Sequence, residues 1–183
     1  MSFMQITIGG MPGAGKSTKA KMIAKRLKLR FYSMGNIMRK MAAKRGMTIN
    51  EYMALKEDID SEIDNYQKKI GQEEDNFVLE GRLAFHFIPK SIKIFFDADK
   101  KEAAKRIFRD QRTGSEKHYS SLKESLSALN ERIKSDKARY KKLYGIDAYD
   151  KKNFDYVIDT TKLGPEENTE KVISLIRKHA KKL

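Results

Sequence analysis

The chain has 183 residues, 39% of them hydrophobic and 35% charged, which suits one compact domain with at most a small inserted lobe and excludes a large multidomain assembly. With no cysteine it has no disulfide, no thiolate nucleophile and no cysteine-held zinc, and a reducing, cytoplasmic setting is expected. Its net charge of +14 is uneven: residues 1–50 carry eleven Lys or Arg and no acid, and residues 51–80 carry three bases and ten acids. That acidic block interrupts the continuous basic face a nucleic-acid protein would present, and phosphate-bearing small molecules fit the pattern at least as well.

The first strand is expected at residues 5–9, entered without the charged and apolar regions of a secretory signal. It runs into Gly10-Met11-Pro12-Gly13-Ala14-Gly15-Lys16-Ser17, followed by Thr18 and a helix whose Ala20, Ile23, Ala24 and Leu27 recur at i, i+3, i+4, i+7. These eight residues satisfy the phosphate-loop pattern in the strand–loop–helix context it requires. The glycines let the backbone curl until successive N–H groups converge on phosphate oxygens. Lys16 adds a mobile positive charge, the Ser17 hydroxyl is placed for Mg²⁺, and the helix N-terminus favours the same anion.

Further strands are expected at residues 29–33, 76–80, 91–96 and 154–159, with helical periodicity between them. That alternation predicts an α/β fold with a parallel sheet covered by helices, and with the phosphate loop after its first strand a five-stranded, three-layer α/β/α sandwich of the P-loop NTPase type is expected. No strand candidate falls in residues 34–75, so a small helical insertion is predicted there, with an acidic face of Asp58, Asp60, Glu62 and Asp64. Arg106 and Arg109 sit one turn apart on the helix after the fourth strand, and Arg112 leads into a polar loop, residues 113–117. Beyond it Leu122, Leu126, Leu129 and Ile133 form one helical stripe, and a lid with its helix is expected over residues 111–142. Arg132, Asp136 and Arg139 stand beside that stripe at i, i+4, i+7; a phosphate-binding face and ordinary surface ion pairs account for this spacing equally well. Val172, Leu175, Ile176 and Ala180 mark a last helix with a basic end. The three histidines have no metal-like spacing.

A phosphate loop implies a nucleoside triphosphate but leaves open where the phosphoryl group goes. A GTP switch would need an Asn-Lys-x-Asp base reader, and the region after the last strand reads Thr160-Thr161-Lys162-Leu163-Gly164 instead. Three further segments narrow the choice: Ser33-Met34-Gly35-Asn36-Ile37-Met38-Arg39, Val78-Leu79-Glu80-Gly81-Arg82, and Tyr144-Gly145-Ile146-Asp147. With the loop, they make the whole chain resemble the nucleoside monophosphate kinases, most closely the archaeal-type cytidylate kinases. Two positions depart from the family pattern: Asn36 stands where Asp is common, and Ala84-Phe85-His86 replaces Ala-Gly-aromatic.

The resemblance implies reversible transfer of a phosphoryl group from Mg-ATP to CMP, with dCMP or UMP as lesser acceptors. Residues Gly10 to Thr18 would hold ATP, Ser17 would ligate Mg²⁺ with Glu80 in its outer shell, and Arg106 and Arg109 would stack on adenine and clamp phosphates. Ser33, Arg39, Arg82, Arg132, Asp136 and Arg139 would receive the acceptor, with Asp136 on the ribose and Asp60 and Asp64 as candidate base readers. Lys16, Arg39, Arg82, Arg106, Arg109 and Arg139 would neutralise the moving charge. A monomer is expected that needs neither membrane nor nucleic acid. Two other readings remain: an adenylate, uridylate or small-metabolite kinase of the same architecture, and a nucleotide-dependent RNA-binding module that uses the +14 charge.

Overall fold

A computed structural model describes residues 4–48, 51–52, 55, 59–110 and 118–180. Five strands, β1 Gln5–Gly10, β2 Arg30–Ser33, β3 Phe77–Glu80, β4 Ile92–Asp97 and β5 Tyr156–Asp159, form one sheet. All pairings are parallel, in the order β2-β3-β1-β4-β5. Parallel strands must be covered on both faces, and the central ones read accordingly: Ile6, Ile8, Phe77, Val78, Leu79, Ile94, Phe95 and Phe96 are all buried. Burying each large side chain contributes roughly 1.5–3 kcal/mol.

The helices are α1 Lys16–Leu27, α2 Met34–Lys44, α3 Ile59–Glu73, α4 Ala84–Phe87, α5 Lys100–Arg109, α6 Leu122–Tyr144 and α7 Pro165–Ala180. α1 packs on α7, β2 and β3, α4 lies against β1 and carries α3, and α5 packs on α6. Side-chain caps fix several starts: Ser33 accepts from the Asn36 amide, Asp99 from Lys101 and Glu102, and Ser121 from Glu124. Among the described residues no helix is long and apolar enough to cross a membrane.

The five expected strands are present, with some ends displaced by a residue or two. Phe154, expected in the last strand, lies just before it and packs its ring on Phe85 at 4.6 Å and Phe95 at 4.9 Å. A Cβ on Gly9 would come within 2.9 Å of that ring, so glycine is needed for the approach. The expected insertion contains α2 and α3. Asp58, Arg112 and the loop of residues 113–117 lie outside the described residues.

The leucine stripe of α6 requires correction. Leu122 is 38% exposed and Leu126 only partly buried, while Ser125, Leu129, Ile133 and Asp136 face inward. The helix is rotated because Ser125 donates to the Ala104 carbonyl at 3.0 Å, drawing it onto the small residues Ala103 and Ala104 of α5. This rotation brings Asp136 inward.

Candidate active site

The strand order reverses at β1, whose neighbours on its two sides are β3 and β4. Ligand crevices in open parallel sheets form at such a point, beyond the carboxyl ends of the strands. The register aligns those ends: Ile8 stands opposite Glu80, and Glu80 opposite Ser33.

From the end of β1 the loop turns through three glycines with positive φ, Gly10 (136°), Gly13 (77°) and Gly15 (70°). A side chain at Gly10 would put Cβ 2.2 Å from the Phe96 carbonyl oxygen, and one at Gly13 would put it 2.6 Å from that of Ala103. The outer side of the loop is pinned. The Ala14 carbonyl accepts from Lys19 Nζ at 2.8 Å and lies 3.2 Å from Thr160 Oγ1. Lys19 is a buried lysine that the phosphate-loop pattern does not flag; its ammonium also stands 5.6 Å from the Phe96 ring centre. Burial, and then Arg106, lower its pKa to about 8.

Lys16 curls over the loop and donates to the Met11 carbonyl at 2.7 Å. Its pKa is lowered to about 8, chiefly by burial; Arg82 and Arg132 push it the same way, and Glu80 and Asp136 oppose them. The loop lysine and two expected acceptor-side arginines thus occupy one electrostatic neighbourhood. Phosphate favours the charged amine, so binding ATP should raise this pKa. Between pH 8 and the raised value the free protein holds Lys16 neutral and the complex holds it charged, so proton uptake on binding and a rising KM for ATP above pH 8 are expected. Titration calorimetry in two buffers of different protonation enthalpy measures that uptake. It should disappear in Lys16→Ala and persist in Lys19→Met.

On the acceptor side, Ser33 Oγ donates to Glu80 at 2.8 Å while capping α2, tying the ends of β2 and β3 together. Arg39 donates to Asn36 Oδ1, so the residue that departs from the family pattern orients this guanidinium through a neutral contact. Arg82 Nε lies 3.1 Å from Asp136, which also accepts from the Tyr149 hydroxyl at 2.6 Å. Burial disfavours the Arg82 charge, but Asp136, Tyr140 and Tyr149 together more than offset it and raise the pKa above its ordinary value. Burial and Asp136 likewise push the Tyr149 hydroxyl up. Asp136, expected on the ribose, is therefore engaged in holding Arg82. Tyr149 was not singled out by the sequence, since a lone tyrosine two residues past Tyr-Gly-Ile-Asp carries no pattern.

Arg139 is paired with Asp60, and Asp64 accepts from the Tyr144 hydroxyl at 2.6 Å. Asp64 is raised by burial against the opposing effect of that bond. Glu62 meets Arg45 at 3.3 Å and the Tyr52 hydroxyl at 3.0 Å. The three described carboxylates of the expected acidic face, Asp60, Glu62 and Asp64, are thus occupied, and two of them join α3 to α6. Arg106 donates to the carbonyls of Thr160 and Thr161 at 2.8 and 2.9 Å, fixing the loop after β5, whereas Arg109 is exposed at the end of α5. The pair expected to act together therefore has different surroundings. Ser17 lies in the first turn of α1, with Thr18 exposed beside it.

The model of the cytidylate kinase-like family matches residues 5–162. Cytidylate kinase of Methanosarcina acetivorans is 39% identical over 165 residues, covering 87% of this chain and 88% of its own length. That of Methanocaldococcus jannaschii is 41% identical over 167 residues, covering 87% and 89%. Among solved structures, shikimate kinase from Bacteroides thetaiotaomicron superposes with a TM-score of 0.69 at 14% identity over 96% of this chain and 99% of its own, a likeness of fold. From the loop through Glu80-Gly81-Arg82 to the end of the family match, the chain belongs to the cytidylate kinase-like family.

Proposed function

We propose that the protein transfers the γ-phosphoryl group of ATP to the phosphate of CMP, releasing ADP and CDP, with dCMP and UMP as lesser acceptors. The observation that carries this reading is the convergence of Lys16 from the donor loop with Arg82 and Arg132 around Glu80 and Asp136. An acceptor phosphate oxygen bonds to the γ-phosphorus as the bond to the β–γ bridging oxygen breaks, and ADP leaves with that oxygen. The attacking oxygen carries its charge at neutral pH, so no general base is required. The protein's task is to hold two polyanions in line and to neutralise the charge spread over the moving group.

Gly10 to Thr18 hold the donor phosphates, and Arg106 and Arg109 serve the donor end, Arg106 by setting the Thr160-Thr161 loop. Ser33, Arg39, Arg82, Arg132 and Arg139 serve the acceptor, with Asp60 and Asp136 holding Arg139 and Arg82. Among the described residues no group of three His, Cys, Asp or Glu could hold a metal. That suits Mg²⁺, which binds through one or two protein groups, phosphates and water. Ser17 would ligate it with Glu80 in its outer shell, and it would supply charge neutralisation on the β- and γ-phosphates.

ADP release measured side by side with CMP, dCMP, UMP, AMP and shikimate tests the proposal. The highest kcat/KM is expected with CMP; a higher value with AMP or shikimate would overturn it.

A further inference from the structure

Gln67 of α3 is 4% exposed, and its Oε1 is buried with no hydrogen-bond partner. Among the described residues one other side chain shares that condition, Asn168, but its amide nitrogen donates to the Leu163 and Gly164 carbonyls and so fixes the start of α7. Among the described residues no such bond secures Gln67. The Gln67 oxygen lies 3.4 Å from where a Cβ on Gly81 would stand, and Gly81 separates Glu80 from Arg82. Gln67 follows Asp60 by seven residues and Asp64 by three, placing it on the face of α3 that meets α6 through Arg139 and Tyr144. A buried acceptor without a partner is unfavourable for the protein alone, and such groups discriminate strongly between ligands that can and cannot complete them.

We propose that Gln67 selects an amino-bearing base on the acceptor nucleotide, its Oε1 taking a hydrogen bond from the exocyclic amino group of cytosine and its Nε2 donating to the adjacent ring nitrogen. This rests on reading the site as one for CMP. Cytosine presents a donor beside an acceptor, and a carboxamide presents the complementary pair. Uracil has an oxygen in place of the amino group, which would face the Gln67 oxygen acceptor to acceptor. Turned over, the amide would complement uracil instead, so the preference for cytosine requires the Gln67 oxygen to stay where it stands, 3.4 Å from the Gly81 Cβ position.

The test compares CMP with UMP at saturating ATP in the parent, in Gln67→Leu, which keeps size but removes both polar atoms, and in Gln67→Glu, which keeps an acceptor. For Gln67→Leu, kcat/KM with CMP should fall on the order of 10–100-fold, the effect of one lost buried polar contact. UMP should change little, KM for ATP should not move, and the melting temperature should hold or rise because the unpartnered oxygen is gone. Gln67→Glu should retain more CMP activity than Gln67→Leu, and it carries the same comparison should Gln67→Leu fail to fold. Equal losses with CMP and UMP, or an unchanged CMP preference, would overturn the role of Gln67 alone. A parent protein that phosphorylates neither CMP nor UMP would overturn the reading of the site itself.

Discussion

Lys16→Ala is expected to lower kcat by at least about 10²–10³-fold, the usual consequence of removing one preorganised charge from a phosphoryl-transfer site. Lys16 is the mobile cation of the loop, and its nearest partner, the Met11 carbonyl at 2.7 Å, can be exchanged for a phosphate oxygen. Arg82 and Arg132 are close enough to affect its charge but belong to other elements, so neither can substitute for it. The fold should survive. The pKa of Lys16 in the native protein, about 8, is below its ordinary 10.5, so at pH 7 both native and unfolded states hold the proton and the native state bears the burial of the charge. Removing that charge should leave cooperative melting intact and the midpoint within a few degrees of the parent. Calorimetry alongside a coupled assay decides the matter, because a broadened or lost transition would make Lys16 a structural residue.

Asp136→Ala should produce the larger loss of stability. Asp136 is 7% exposed, and its removal deprives both the Arg82 guanidinium and the Tyr149 hydroxyl of their acceptor. Breaking a buried ion pair costs about 3–5 kcal/mol, and the lower end applies because the Arg82 side chain remains 30% exposed. About 3 kcal/mol in a chain of this length corresponds to roughly 6–12 °C in melting temperature. Activity should fall with CMP and dCMP in the same proportion, since the acceptor loses a positioned arginine whichever sugar it carries. If Asp136 instead contacted the ribose, CMP would lose far more than dCMP, and that result would return it to the role expected from family resemblance.

What can be read along the chain is what contiguous residues dictate. The loop is legible because its glycines, lysine and serine set their own backbone within eight residues, and Gly10 and Gly13 occupy conformations that strongly favour glycine. The strands are legible because central parallel strands are buried on both faces and appear as short apolar runs between helical periods. Gln67 was within reach, since it shares a helical face with Asp60 and Asp64, but nothing in that spacing says its oxygen would lack a partner.

Pairing was a different matter. Arg82 with Asp136, Asp60 with Arg139 and Asp64 with Tyr144 join residues more than fifty positions apart. These contacts depend on how α6 is rotated against α5, where a hydrogen bond from Ser125 outweighs the leucine stripe. A sequence pattern fixes which side of a helix is apolar only to within a residue or so of rotation. Close packing against small side chains then settles the angle, and with it which carboxylate turns inward to hold which arginine.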